Sequence, residues 1–281
     1  MGKAENFNIA SEQAALFVPV KQIDEPSDPF KVPLSDKIRI AIDAIKRELK
    51  QGFHPLVSVS FGKDSSVTLS LTLQAVSELQ AEGFNVPTLH VLHSDTKLEN
   101  VVVHAYNQSQ IRALRSFAAS SGIDIKVWVA SPSLSNDYLV SIIGGRTIAS
   151  VGANTKCSSM MKAAPLSRLK KDVLRWIAEK EGTKPKKVRA ISLIGTRFDE
   201  SATRAEKMTD RGESATQAVY LNTANQEYVL SPVANFTTLD VFEYIGMVRS
   251  GKISTYSNFD QLVEIYRDLN NGDCMVTAYL A

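Results

Sequence analysis

The sequence predicts an α/β fold: one large domain with a parallel sheet that carries helices on both faces. Three observations predict it. Short apolar runs alternate with longer segments of helical periodicity, the pattern of strands joined by helical crossovers. With 281 residues, 44% of them hydrophobic and 22% charged, the chain has the size and composition of a globular protein with one good core. Its three most distinctive motifs also fall at the carboxyl ends of expected strands, where ligands bind in such sheets.

Element by element, residues 1–33 are polar, hold Pro19, Pro26, Pro29 and Pro33, and read as an arm with one short helix near residues 13–17. Ser35 has the chemistry of an N-cap for a helix through Leu49, whose apolar face is Ile38, Ile40, Ile42, Ala44, Ile45 and Leu49. The first strand spans 56–60 and its helix 65–80. A second strand (88–93) precedes a long helix (99–120), and a third strand (123–129) precedes a short helix near 138–143. Pro165 fits the first turn of the next helix, which runs to Lys180. The fourth strand covers 188–194, and an irregular charged segment follows it. Residues 217–221 and 227–230 then read as a hairpin. Thr238 is the expected cap of a helix to Val248, and 258–269 form the last helix. These elements place a main domain at 34–250 and a C-terminal helix and tail at 251–281.

The most informative string is Ser60-Phe61-Gly62-Lys63-Asp64-Ser65, a small-residue turn between the first strand and its helix. Unpaired N–H groups and the helix dipole favour an anion there, and Gly62 admits a close backbone approach. Lys63 adds a cation, and Ser60 and Ser65 add hydroxyl donors. The string is not a Walker A loop, because Val57 and Asp64 stand where that motif needs Gly and Ser or Thr. A bland alternative is an ordinary strand-to-helix turn with surface Lys and Asp.

His93-Ser94-Asp95-Thr96 ends the second strand. Asp95 reads either as a ligand for ribose, adenine or magnesium, or as a turn residue capping its own backbone. The fourth strand runs into Gly195-Thr196-Arg197-Phe198-Asp199-Glu200-Ser201-Ala202-Thr203-Arg204. Gly195 permits a tight exit, Arg197 and Arg204 offer forked donors for phosphate or sulfate, and Glu200 is placed to orient one of them. The alternative is a surface ion-pair network of little energetic weight.

The first string resembles the SGGKDS loop of the PP-loop ATP pyrophosphatases, with Phe61 in place of the first Gly. Together with Asp95-Thr96, the Gly195–Arg204 motif and Ser231-Pro232-Val233, it resembles the phosphoadenosine-phosphosulfate (PAPS) reductase-like branch of that superfamily, over residues 56–245. The resemblance implies a Rossmann-like (adenine nucleotide α-hydrolase-like) sheet and use of ATP with Mg2+. In that reading Ser60, Phe61, Gly62, Lys63, Asp64 and Ser65 form the pyrophosphate loop. Ser94, Asp95, Gly195 and Glu200 complete nucleotide binding. Lys63, Asp64, Arg197 and Arg204 act on the reacting phosphates; Asp64 binds magnesium or shapes the loop, and Asp95 contacts nucleotide or magnesium.

Within the branch, Ser94–Val102, Lys156–Lys162 and Asn271-Gly272-Asp273-Cys274 are similar to stretches of the DNA phosphorothioation sulfurtransferases of the DndC type, or their single-strand counterparts. That likeness implies DNA and a cysteine desulfurase as partners, a role in antiviral defence, and a [4Fe–4S] cluster with Cys157 and Cys274 among its ligands. The chain has only two cysteines, so four cluster ligands cannot come from it alone. A truncated chain, a cluster completed elsewhere and a member without the cluster all stay open. Cys157, beside Lys156 and Lys162, reads equally as a cluster ligand or persulfide carrier and as a small buried residue. Sulfate adenylylation, PAPS reduction and ATP sensing without catalysis are the rival functions.

Two cysteines make no disulfide framework, no apolar stretch approaches the length of a membrane span and the polar N-terminus lacks a signal-peptide pattern, so a cytoplasmic protein is expected. The net charge of +2 says little, but residues 162–189 hold ten Lys or Arg against three acids. A polyanion fits there; a solvated helix face beside a Lys-rich loop is the blander reading.

Overall fold

A computed structural model describes residues 28–147, 159–221 and 227–269. The chain divides into two units, Met1–Val32 and Pro33–Ala281. Of the first, the described part is one 3-10 turn, Pro29–Lys31, capped by the Asp28 side chain, which accepts the Phe30 N–H at 3.1 Å. The expected helix at 13–17 lies outside the described residues.

The second unit is an α/β domain, as expected. In chain order its elements are α1 (Leu34–Lys50), β1 (His54–Val59), α2 (Lys63–Ala81), β2 (Leu89–Ser94), α3 (Val101–Ser121), β3 (Ile125–Ala130) and α4 (Tyr138–Ile143). There follow α5 (Ala164–Glu181), β4 (Ala190–Leu193), α6 (Ala202–Asp210), β5 (Val219–Leu221), β6 (Glu227–Leu230), α7 (Thr238–Arg249) and α8 (Asp260–Leu269). The six described strands form one sheet in the order β3-β2-β1-β4-β6-β5. All neighbours pair in parallel except β5, which runs antiparallel to β6 along the sheet edge. That edge is the expected hairpin.

Side chains alternate across the strands and so build two cores. Val57, Val59, Val91 and Leu193 point to the larger one, packed by α1, α2, α3, α7 and α8. Leu56 and Leu92 point to the other face, where Val173 and Ile177 of α5 cover them with Trp128 and Trp176 at the margin. Helices on both faces follow from this. The helix α2 lies so deep that its polar Ser66, Thr68 and Thr72 are buried with its leucines. Two of these hydroxyls donate to carbonyls one turn back, Thr68 to Asp64 at 2.9 Å and Thr72 to Thr68 at 2.8 Å.

Three local expectations are corrected. Pro33, not Ser35, precedes α1; burial of Leu34 draws the first turn forward, and the Pro33 carbonyl accepts the Asp36 and Lys37 N–H groups. Thr237, not Thr238, caps α7. Its hydroxyl accepts the Asp240 N–H at 3.1 Å while the Asp240 carboxylate accepts the Thr237 N–H at 2.7 Å, a reciprocal box. The charged segment after β4 is not irregular throughout: Ser201 caps the nine-residue α6, whose buried anchor is Met208.

Candidate functional site

Strand order places β1 and β4 side by side at the centre, while the connections from β1 lead through β2 to β3 on one side and those from β4 lead to β6 on the other. This is the point where the winding reverses, and the loops leaving β1 and β4 diverge around it. Both carry expected site residues.

The β1 loop is knotted by its own hydroxyls. Ser60 Oγ and Ser65 Oγ lie 3.2 Å apart, the Gly62 N–H donates to Ser60 Oγ at 3.4 Å, and Ser65 Oγ donates to the Gly62 carbonyl at 3.1 Å. The first N–H returned to the helix ladder is that of Ser66, which donates to Gly62 at 2.9 Å. The N–H groups of Lys63, Asp64 and Ser65 therefore lie in the turn that a helix cannot satisfy itself. Phe61 has a left-handed backbone, φ +59°, which for a bulky residue costs on the order of 1–2 kcal/mol. Its buried ring packs 5.1 Å from that of His93 at the end of β2, and this packing offsets the strain. The unusual Phe at this position thus keeps the backbone shape that Gly would adopt freely.

The two glycines serve space. A Cβ on Gly62 would stand 3.3 Å from the Tyr266 hydroxyl. One on Gly195 would come within 2.9 Å of the Asp64 carbonyl and the Ser65 nitrogen. Gly195 is therefore more than a tight exit: it lets the β4 loop lie directly on the first turn of α2.

Above that contact, Asp64 and Arg197 join the two loops. Arg197 Nε donates to Asp64 Oδ1 at 2.6 Å, and Lys63 Nζ reaches Asp64 Oδ2 at 3.1 Å. One expectation changes here. Arg197, expected to present a fork to an anion, is 1% exposed and turned inward. Its other nitrogens donate to Asp199, to the Phe236 carbonyl at 3.2 Å and to Thr238 Oγ1 at 3.4 Å. Asp64, expected as a magnesium ligand or as a residue that shapes the loop, has a cation on each carboxylate oxygen and so ties the loop to Arg197. Arg204 and Glu200 pair with each other at 2.6 Å across one turn, and the Arg204 side chain is 44% exposed, as the surface-pair alternative anticipated.

At the end of β2, Asp95 accepts the Lys97 N–H at 3.0 Å, the self-capping turn, with His104 Nδ1 at 3.9 Å. Ser94 Oγ donates to the Met161 carbonyl at 3.1 Å. Neither side chain bonds to the β1 loop among the described residues. Cys157 and Cys274 lie outside those residues. Among the described residues no group of three or more His, Cys, Asp or Glu is placed to hold a metal.

Sequence reasoning missed two contributors. Glu213, buried behind the β4 loop, accepts from Thr196 Oγ1 at 3.0 Å and Ser231 Oγ at 2.8 Å, and Arg211 offsets its charge. Its signal was available only indirectly, in the Ser231-Pro232-Val233 motif that it anchors. Tyr266 of α8 accepts the Lys63 N–H at 3.3 Å, and nothing in its local sequence marks it.

The opposite end of β2 is built for packing. His90 accepts from Trp128 Nε1 at 3.0 Å, and burial pushes its pKa down to about 4, helped by nearby His54 and Lys126. Lys126 and Lys180 flank the Trp176 ring at 3.9 and 4.6 Å. These tryptophans pack against the second core. No described helix is long and apolar enough to cross a membrane.

Among solved structures, the chain is similar to a U34-tRNA thiolase from Methanococcus maripaludis with its [4Fe–4S] cluster, at 15% identity over 88% of this chain and 78% of that one, TM-score 0.40. It is similar to a PAPS reductase from Candida auris in a phosphate complex, at 10% identity over 85% and 90%, TM-score 0.41. A third is an NAD+ synthetase from Burkholderia pseudomallei, at 13% identity over 75% and 66%, TM-score 0.42. No curated protein matches the chain. Residues 54–250, from the first residue of β1 to just past the end of α7, match the phosphoadenosine phosphosulfate reductase domain, and the chain belongs to that family.

Proposed function

We propose that the chain is an ATP pyrophosphatase that adenylylates an oxyanion. The carrying observation is the hydroxyl-knotted Ser60–Ser65 loop at the reversal point of the sheet, with three N–H groups and the Lys63 ammonium at one helix start. The β and γ phosphates of ATP would sit on those donors. A substrate oxygen then attacks the α phosphorus, a new P–O bond forms, and the bond to the bridging oxygen breaks with its electron pair leaving on pyrophosphate. Lys63 neutralises the charge that develops there. Asp64 orients Lys63, and Arg197 holds Asp64 in place; both are positioning residues in this reading. Arg204, exposed on α6, is the arginine available to an incoming anion. Magnesium would enter with the ATP phosphates, which supply its oxygens together with water.

For the oxyanion we favour a DNA backbone phosphate, activated for later displacement of AMP by sulfur from a cysteine desulfurase. The support is the basic run of α5 and the Lys184–Arg189 segment, where Lys171, Arg175, Lys186 and Lys187 lie on the surface. The test is pyrophosphate release from ATP and magnesium, with DNA or with sulfate. Release that only DNA stimulates supports the reading; stimulation by sulfate alone replaces the DNA substrate with sulfate. Lys63→Ala is expected to abolish release without unfolding the domain, and unchanged release in that variant would sink the assignment of the loop.

A further inference from the structure

We propose that Tyr266 gates the anion loop, its hydroxyl standing where a phosphate oxygen would bind. This rests on the reading of the Ser60–Ser65 loop as a phosphate site. Three contacts place the phenol at the mouth of that loop. Its oxygen accepts the Lys63 N–H at 3.3 Å, it lies 3.3 Å from where a Cβ on Gly62 would be, and its ring centroid is 5.5 Å from Lys63 Nζ. One residue thus engages both the backbone donor and the side-chain cation on which an anion would depend.

The position is held from outside the loop. Tyr266 belongs to α8, which buries Leu262 and Val263 in the larger core behind Phe259. Arg249 Nε donates to Asp260 at 2.8 Å and Ser109 Oγ to Gln261 Oε1 at 3.1 Å, fastening the start of the helix to α7 and α3. The Tyr266 ring meets Phe242 edge-on at 6.0 Å. With the helix so anchored, the moving part is the Tyr266 side chain.

A neutral phenol is a poor substitute for the ligand. Hydrogen bonds to an ionised acceptor are roughly twice as strong as neutral ones, so a phosphate displaces the hydroxyl while weaker acceptors do not. The gate therefore keeps the Lys63 N–H paired in the ligand-free protein and sets a threshold of charge for entry.

The test uses the full chain and inorganic pyrophosphate, titrated calorimetrically against wild type and Tyr266→Phe. Phenylalanine keeps the ring against Phe242 and removes only the competing oxygen. Loss of one net hydrogen bond in the free state predicts about two- to tenfold tighter binding. The Lys63 amide should also exchange its hydrogen faster in the ligand-free variant, a readout that needs no ligand. Unchanged or weaker affinity in the variant, with wild type binding normally, overturns the gate alone. Failure of both proteins to bind pyrophosphate overturns the phosphate site and the gate with it.

Discussion

The carboxyl ends of β1 and β2 are neighbours in the sheet and are built in opposite ways. At β1 the loop is tied to distant chain: Asp64 to Arg197, Arg197 onward to Phe236 and Thr238, Lys63 to Tyr266. At β2 the Asp95 and Thr96 side chains bond within a few residues, to Lys97 and Leu98, while Ser94 reaches the Met161 carbonyl. Both ends carry an Asp that sequence chemistry offers as a ligand. The difference teaches that a carboxylate's role is set by what surrounds it in space. Asp64 is a cross-brace between two loops, and Asp95 accepts from the backbone of its own turn.

The sharpest way to break this contrast is Arg197→Ala. It leaves Asp64 with one of its two cations gone and empties a buried site, so a loss of about 3–5 kcal/mol is expected from urea unfolding. A loss below about 1 kcal/mol would mean that the two loops are not braced through this pair. Gly195→Ala tests the contact beneath the brace. The added Cβ would meet α2 backbone at 2.9 Å, and about 1–3 kcal/mol of strain is expected in the same measurement, with lower affinity for ATP as the first turn of α2 is displaced. Asp95→Ala is the mildest, since it removes one local bond at a partly exposed turn: about 0.5–1 kcal/mol or less. If that variant instead loses ATP binding with stability intact, Asp95 is a ligand residue and the contrast between the strand ends narrows.

What was legible in the sequence was what depends on near neighbours. The strand, small-residue turn and helix at 54–81 follow from apolar periodicity and turn chemistry, and α4 and the β5–β6 hairpin fall where the pattern puts them. The self-capping turn of Asp95 was legible as one of two alternatives because an Asx turn is a two-residue matter. The inward turn of Arg197 was not, since surface and buried arginines look alike in sequence and only the packing of Phe236 and Thr238 decides. Tyr266 and Glu213 were invisible for the same reason: each acts on residues far from it in the chain. The helix α6 escaped notice because one buried residue, Met208, gives no periodicity to detect.

The brace has a consequence for how the protein is made. Asp64, Arg197 and Thr238 are separated by 133 and 41 positions along the chain, and β4 must insert beside β1 before the first pair can form. Contacts of such long range close late in folding, after the loop entropy between them has been overcome. During synthesis, then, the β1 loop emerges and its helix can wind long before its brace exists. A chain cut before Thr238 has the motif but not the braced loop, so the shape of this region is a property of the finished domain.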